Sequence, residues 1–221
     1  MLRVGVLASG SGTNFQALAD ACATGYADAE IGVVLSNRPG AGALERAERA
    51  GIEAVYVDPA RAVDRESYDR LLLDHLTKFE IDLVCAAGYM RLLSPVFVSA
   101  FEERILNVHP SLLPAFPGLD AVKQAWEWGV TVTGVTVHVI DAELDHGPIV
   151  LQASVDIRPD ETLADIERRI HLTEYVLYPK ALKLWASGAV RIDGRRVAID
   201  QEVEDPPWAG DVPPGLRGEH I

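Results

Sequence analysis

Cysteine is nearly absent from this chain. Cys22 and Cys85 are the only two in 221 residues, so no disulfide framework can be drawn, and their apolar neighbours suit buried thiols. Basic residues are scarce as well: 20 Lys and Arg stand against 33 Asp and Glu, a formal net charge of −13. That balance excludes nucleic acid as a partner for the chain as a whole, because a phosphate backbone calls for a basic face. An anionic small molecule would have to be captured by local donors against an unfavourable field. Long apolar runs are missing too. A membrane span takes about 20 apolar residues, and the apolar start from Met1 to Ala8 is too short for a span or a signal peptide. The expected location is therefore cytoplasmic, with no membrane partner. His75, His146 and His220 have no metal-ligand spacing with acidic neighbours, and no metal is expected. What remains, 48% hydrophobic and 24% charged residues, fits one domain with a sizeable core.

Short apolar runs alternate with helical patterns, which predicts an α/β fold: a Rossmann-like, doubly wound, mostly parallel sheet covered on both faces. Strands are expected near Leu2 to Ala8, Ile31 to Ser36, Ala54 to Val57, Leu83 to Ala87, Ile105 to Val108 and Thr131 to Ile140. Phe15, Leu18, Ala19 and Cys22 recur at helical spacing, as do Tyr68, Leu71, Leu72, His75 and Leu76. Ser94 and Pro95 read as the start of a short helix. After Thr131 the pattern changes: Ile149 to Ile157 follows across a loop, which predicts antiparallel C-terminal strands. A long helix is expected from Thr162 to about Ala186, with Pro179 as a candidate kink, and Asp193 and Gly194 suggest a hairpin turn. The expected organisation is a single domain over 1–199. The Pro- and Gly-rich stretch 200–221 is expected to be a mobile tail.

Two segments carry chemistry. In Asn107, Val108, His109, Pro110, an amide and an imidazole stand two residues apart where a strand should end. Residues i and i+2 share one strand face, so both can address one ligand. Pro110 then removes a backbone donor, and Pro114 closes the turn after it. The second segment is Ser9, Gly10, Ser11, Gly12, Thr13, Asn14, between the first strand and its helix. Glycines there let backbone amides approach an anion, and the helix dipole adds roughly 0.3 to 1 kcal/mol. It is not a dinucleotide fingerprint, because Phe15 stands where the third glycine belongs. It is not a Walker loop either, since Ser11 occupies the lysine position. Taken singly, each of these residues could be an ordinary turn or cap.

Together with Pro117, Gly118, the run Gly134 to His138, and Leu144, Asp145, Gly147 and Pro148, these segments closely resemble the folate-dependent glycinamide ribonucleotide formyltransferase family over roughly 1–199. The resemblance implies the formyltransferase fold and transfer of formyl from 10-formyltetrahydrofolate, as cosubstrate, to the amine of glycinamide ribonucleotide, a step of purine synthesis. The substrate amine would attack directly, so the protein has to stabilise a tetrahedral oxyanion and move protons, with no nucleophile of its own. The catalytic set it implies is Asn107, His109 and Asp145: Asn107 as oxyanion donor, His109 and Asp145 for charge and protons. For the ribonucleotide it implies the loop Gly10, Ser11, Gly12, Thr13 and Asn14 for the phosphate, together with Met90 and Glu174. For the folate it implies Arg65, Met90, Arg91, Leu92, Leu93 and Asp141, with Asn107 and Asp145 shared, and Val98 as a further contact. Tyr89 and Leu93 serve equally well as core residues, and Arg91 as a solvated charge. His138 matches a recurring strand histidine for which a structural role is as good a reading as a catalytic one. His171 departs from the Gln or Lys common at its position and is left out of the site.

Other formyl-handling enzymes are similar through the same segments. Methionyl-tRNA formyltransferase carries a further domain for tRNA, and formyltetrahydrofolate hydrolase usually carries an N-terminal regulatory domain. A formyltransferase for another amine, or a noncatalytic binder of folate or phosphate, stays open from sequence alone. A homodimer is an allowed assembly.

Overall fold

The computed structural model describes residues 1–219; the end of the expected tail at 220–221, with His220, lies outside the described residues. Runs rich in Val, Ile and Leu form the strands, as their β-branched side chains favour an extended backbone. These are β1 (Leu2–Ala8), β2 (Ala29–Ser36), β3 (Ala54–Tyr56), β4 (Leu83–Ala86), β5 (Ile105–His109), β6 (Val132–Val139) and β7 (Ile149–Asp156). They pair in the order β3-β2-β1-β4-β5-β6-β7. Pairing is parallel from β3 to β5 and antiparallel for β5 with β6 and β6 with β7. A separate two-stranded hairpin joins β8 (Val190–Asp193) and β9 (Arg196–Ile199), turning at Gly194.

Helices cover both faces. On one side α1 (Thr13–Ala23), α2 (Gly42–Arg49) and α6 (Leu163–Ala186) bury Phe15, Leu18, Ala43, Ile170 and Leu182 with Val4, Val6 and Leu106 of the sheet. On the other side α3 (Arg65–Lys78) and α4 (Pro95–Ala100) bury Tyr68, Leu72, Leu76 and Phe97 with Leu7, Leu35 and Val84. The strand order reverses between β1 and β4, and in open sheets of this kind ligands bind beyond the strand ends at such a switch point. The loops after β1, β4 and β5 converge there.

Two short helices were not anticipated. These are α2 and α5 (Ala121–Trp128), both eight residues long and neither with a side-chain cap at its start. Without a cap the usual start signal is missing. By contrast α6 opens on Thr162 in a capping box with Asp165 and runs unbroken through a buried Pro179, where a kink was a candidate. The clean alternation of β6 also hides something. This strand is buried on both faces after Val132, so its polar residues Thr133, Thr136 and His138 point into protein.

The segment after residue 199 has little regular structure, a 3-10 turn at Pro214–Leu216, but it is anchored. Trp208 is buried and donates its indole N–H to the Tyr175 carbonyl at 2.9 Å. Leu216 is buried against Ala17 and Tyr175, and the Gly215 amide donates to Asp20. Counting prolines and glycines overlooked these apolar anchors at Trp208 and Leu216.

Candidate active site

The end of β5 is a dense set of polar groups in a nearly dry setting. Asn107 lies opposite His138 of β6, and His109 lies opposite Thr136, so the antiparallel register brings a second histidine to the pair. His138 Nδ1 lies 3.0 Å from the Val139 carbonyl, which can only accept; Nδ1 therefore carries the proton. Its Nε2 is left to accept from the Asn107 amide nitrogen at 3.1 Å. Burial pushes the His138 pKa down, which keeps this imidazole neutral and the arrangement fixed. The second N–H of the Asn107 amide stays available to a ligand.

His109 is held by the same logic. Its Nε2 donates to the Phe116 carbonyl at 2.9 Å, which leaves Nδ1 facing Asp145 Oδ2 at 3.6 Å. That separation is longer than a direct hydrogen bond and leaves the Nδ1 position for proton exchange. Asp145 is fixed by the Gly118 amide, which donates to Oδ2 at 2.7 Å, while Oδ1 stands 3.8 Å from His138 Nε2. Its backbone is left-handed, with φ 50°. Such a conformation costs an L-residue roughly 1–2 kcal/mol, and Asp is among the residues that tolerate it. Two residues on, Gly147 is obligatory: a Cβ there would lie 1.8 Å from the Val139 carbonyl oxygen.

The turn that presents Phe116 and Gly118 is itself pinned. Thr136 Oγ1 donates to the Ser111 carbonyl at 2.6 Å and accepts from the Leu113 amide at 3.0 Å. Ser111 Oγ donates to the Ala115 carbonyl at 2.5 Å. From behind, the buried Tyr178 hydroxyl sits between the carbonyls of Ala86 and Leu106, 3.1 and 3.0 Å away, tying α6 to the ends of β4 and β5.

Gly10 to Asn14 forms the turn from β1 into α1. The N-cap is Gly12, left-handed at φ 77°, and no side chain caps the helix, so the first-turn amides are not taken by a capping group. The loop is packed from outside by α2. A Cβ on Gly12 would come 2.5 Å from Ala43 Cα, and one on Gly42 would come 2.8 Å from the Ser11 carbonyl oxygen. Asn14 Nδ2 donates to Glu174 Oε2 at 2.8 Å, joining the loop to α6. The same oxygen accepts from His171 Nδ1 at 3.0 Å, and this hydrogen bond is the main reason the His171 pKa is raised. His171, left out of the sequence-based set, thus belongs to this cluster. Pro110, Lys123, Glu167 and His171 line a shallow cavity of about 190 Å³ next to it.

The segment after β4 stands between these two regions. Ser9 Oγ accepts from the Met90 amide at 2.9 Å and donates to Asn37 Oδ1 at 2.6 Å, which ties the β1 and β4 loops together. Buried Asp69 of α3 accepts from the Ser94 amide at 2.5 Å, and burial raises its pKa. Arg91 is not a freely solvated charge: its guanidinium lies 4.6 Å from the Tyr68 ring centroid and its Nε is buried. Tyr89, Leu93, Val98 and Ile140 are partly buried against the α3-side core. Met90 and Leu92 are each 56% exposed, and Leu144 on the Asp145 loop is 57% exposed. Exposed Arg65 opens α3 on that flank, and Asp141 accepts from the Glu143 amide and pairs with His146.

Comparisons with known proteins agree with this architecture. A family described as formyl transferase matches residues 2–182, and the chain belongs to that family. The phosphoribosylglycinamide formyltransferase of Escherichia coli (strain K12) is 41% identical over 200 residues, 90% of this chain and 94% of that protein. The human trifunctional purine biosynthetic protein adenosine-3 is 43% identical over 190 residues, 86% of this chain but only 19% of that protein's length. Among solved structures, glycinamide ribonucleotide transformylase 1 from Symbiobacterium toebii superposes with a TM-score of 0.89 at 51% identity, covering 90% of this chain and 94% of that one. A formyltetrahydrofolate deformylase from Pseudomonas syringae reaches 0.84 at 24% identity, a likeness of fold alone.

Proposed function

We propose that the chain transfers the formyl group of 10-formyltetrahydrofolate to the amine of glycinamide ribonucleotide. The observation that carries this reading is the pairing of His109 Nδ1 with Asp145 Oδ2 at 3.6 Å, one strand step from an Asn107 amide oriented by neutral His138. Proton handling and an oxyanion donor stand together, which is what direct attack by a substrate amine needs. Enzyme nucleophiles do not compete for the role. Cys22 and Cys85 are both pushed up to about 12 by burial, and the Ser111 hydroxyl is engaged by the Ala115 carbonyl.

In this reading the amine lone pair attacks the formyl carbon, and Asn107 donates to the oxygen that gains charge. The proton released by the amine passes to the Asp145 and His109 pair, and the bond from carbon to the folate nitrogen breaks as that nitrogen regains a proton. The Gly10–Asn14 amides hold the phosphate and Glu174 meets the glycinamide side of the substrate. The folate fits the exposed apolar edges of Met90, Leu92 and Leu144, because a flat ring system would cover side chains that otherwise face water. Arg65, Arg91 and Asp141 flank that slot, and backbone groups of residues 90–93 meet the ring. Cytoplasmic location and a homodimer accord with this reading.

The test is an acceptor panel. Protein, formylfolate and each acceptor are incubated in turn, and formate and formylated product are measured. Product with glycinamide ribonucleotide is expected; formate release without any acceptor would move the assignment to hydrolysis.

A further inference from the structure

The Gly10–Asn14 loop has a support that its own residues do not supply. Arg46 of α2 is buried, an uncommon place for a charge, and its Nε donates to the Ser11 carbonyl at 2.8 Å. The rest of its guanidinium is taken by the tail. Nη1 donates to Glu219 Oε1 at 2.9 Å, and Nη2 pairs with Oε2 in the same fork. This pairing holds the Glu219 carboxyl below its usual pKa. The tail is delivered there by Leu216, buried on Ala17 and Tyr175, and by the Gly215 amide on Asp20 of α1. Fork-shaped Arg–carboxylate pairs fix orientation as well as distance.

We propose that Glu219 and Arg46 form a strap in which the C-terminal tail positions the Ser11 peptide, and through it the loop that receives the substrate phosphate. Both are positioning residues acting through the backbone of residues 11–12, where Gly12 is wedged on Ala43. This inference rests on reading Gly10–Asn14 as the phosphate loop. An Arg46 without its carboxylate would be free to swing out of register, and the Ser11 carbonyl would lose a charged donor.

Steady-state kinetics on the full chain, Glu219→Gln, Arg46→Lys and a form ending at Arg217 test this. The shortened form retains Trp208 and Leu216, both buried in the full chain. KM for glycinamide ribonucleotide is expected to rise about threefold to tenfold in all three variants, with kcat and the formylfolate KM unchanged. Asp205→Asn breaks a different tail pair, to Lys180, and should leave all constants alone. An unchanged or lower ribonucleotide KM in Glu219→Gln overturns the strap, and so does an equal rise in Asp205→Asn. Calorimetric titration with inorganic phosphate reads the loop without turnover. Weaker phosphate binding by Glu219→Gln than by the unaltered chain supports the strap even if that chain fails to formylate the ribonucleotide, a failure that overturns only the function. Equal phosphate binding by the two overturns the strap.

Discussion

Under the proposed function, side chains face the ligand at the end of β5, held by two backbone groups and the His138 imidazole, whereas at the end of β1 the backbone faces the ligand and is held by α2 and α6. Asn107, His109 and Asp145 are fixed by His138, the Phe116 carbonyl and the Gly118 amide. The Gly10–Asn14 amides are fixed by Ala43, Arg46 and Glu174. The difference follows from what each end has to do. Chemistry needs a proton-bearing group at a set place, a role most often filled by a side chain. Phosphate capture needs several converging donors, which a glycine turn at a helix start provides without charge. In a chain of net charge −13 that is a useful economy.

If the division holds, damage at the β5 end should appear in kcat and damage at the β1 end in KM. The largest effect is expected for Asn107→Ala, which removes the proposed oxyanion donor: kcat should fall about 10²- to 10³-fold with ribonucleotide KM little changed. A kcat within a factor of about three of the unaltered enzyme would remove Asn107 from that role.

Next comes Gly12→Ala, which adds a Cβ at φ 77° and 2.5 Å from Ala43 Cα. The ribonucleotide KM should rise about tenfold or more while the formylfolate KM stays, with a stability loss of roughly 1–3 kcal/mol seen in denaturant unfolding. Equal changes in both KM values would mean the loop serves the whole site.

The smallest effect is expected at His171. Its pKa is raised chiefly by Glu174, so its stabilising contribution is present below the ordinary value of about 6.5 and is lost as pH rises through the raised value. Protonated His171 offsets the Glu174 charge beside the Gly10–Asn14 loop, the proposed phosphate site. Ribonucleotide KM should therefore rise a few-fold, roughly two- to fivefold, as pH climbs through that range. His171→Gln should flatten the profile, and an unaltered profile would separate His171 from the loop.

Much of this was legible in the residues. The seven central strands follow the apolar runs, and Asn107 with His109 stood out because alternation places them on one face ahead of a proline. Asp145 was reached only through family resemblance, since an Asp near a turn glycine says nothing by itself. Other partners left no mark in the sequence. The Phe116 carbonyl and Gly118 amide are backbone groups, which every residue has. His138 stood out only as a recurring strand histidine with its partner unreadable, and the β5 register is what places it against Asn107. Arg46 lies on a helix that was not anticipated, and its partner is 173 residues away.

The central claim, that the β5 cluster does chemistry and does not merely bind, is tested most directly with Asp145→Asn. The isostere keeps the oxygen that accepts from Gly118 but cannot take a proton at neutral pH. Binding of ribonucleotide and of a nonreactive folate by calorimetry, set beside turnover, gives the answer. Both ligands should bind within about threefold of the unaltered protein while kcat falls by about 10²-fold or more. Turnover that survives at the normal rate, or falls only in step with binding, would contradict it.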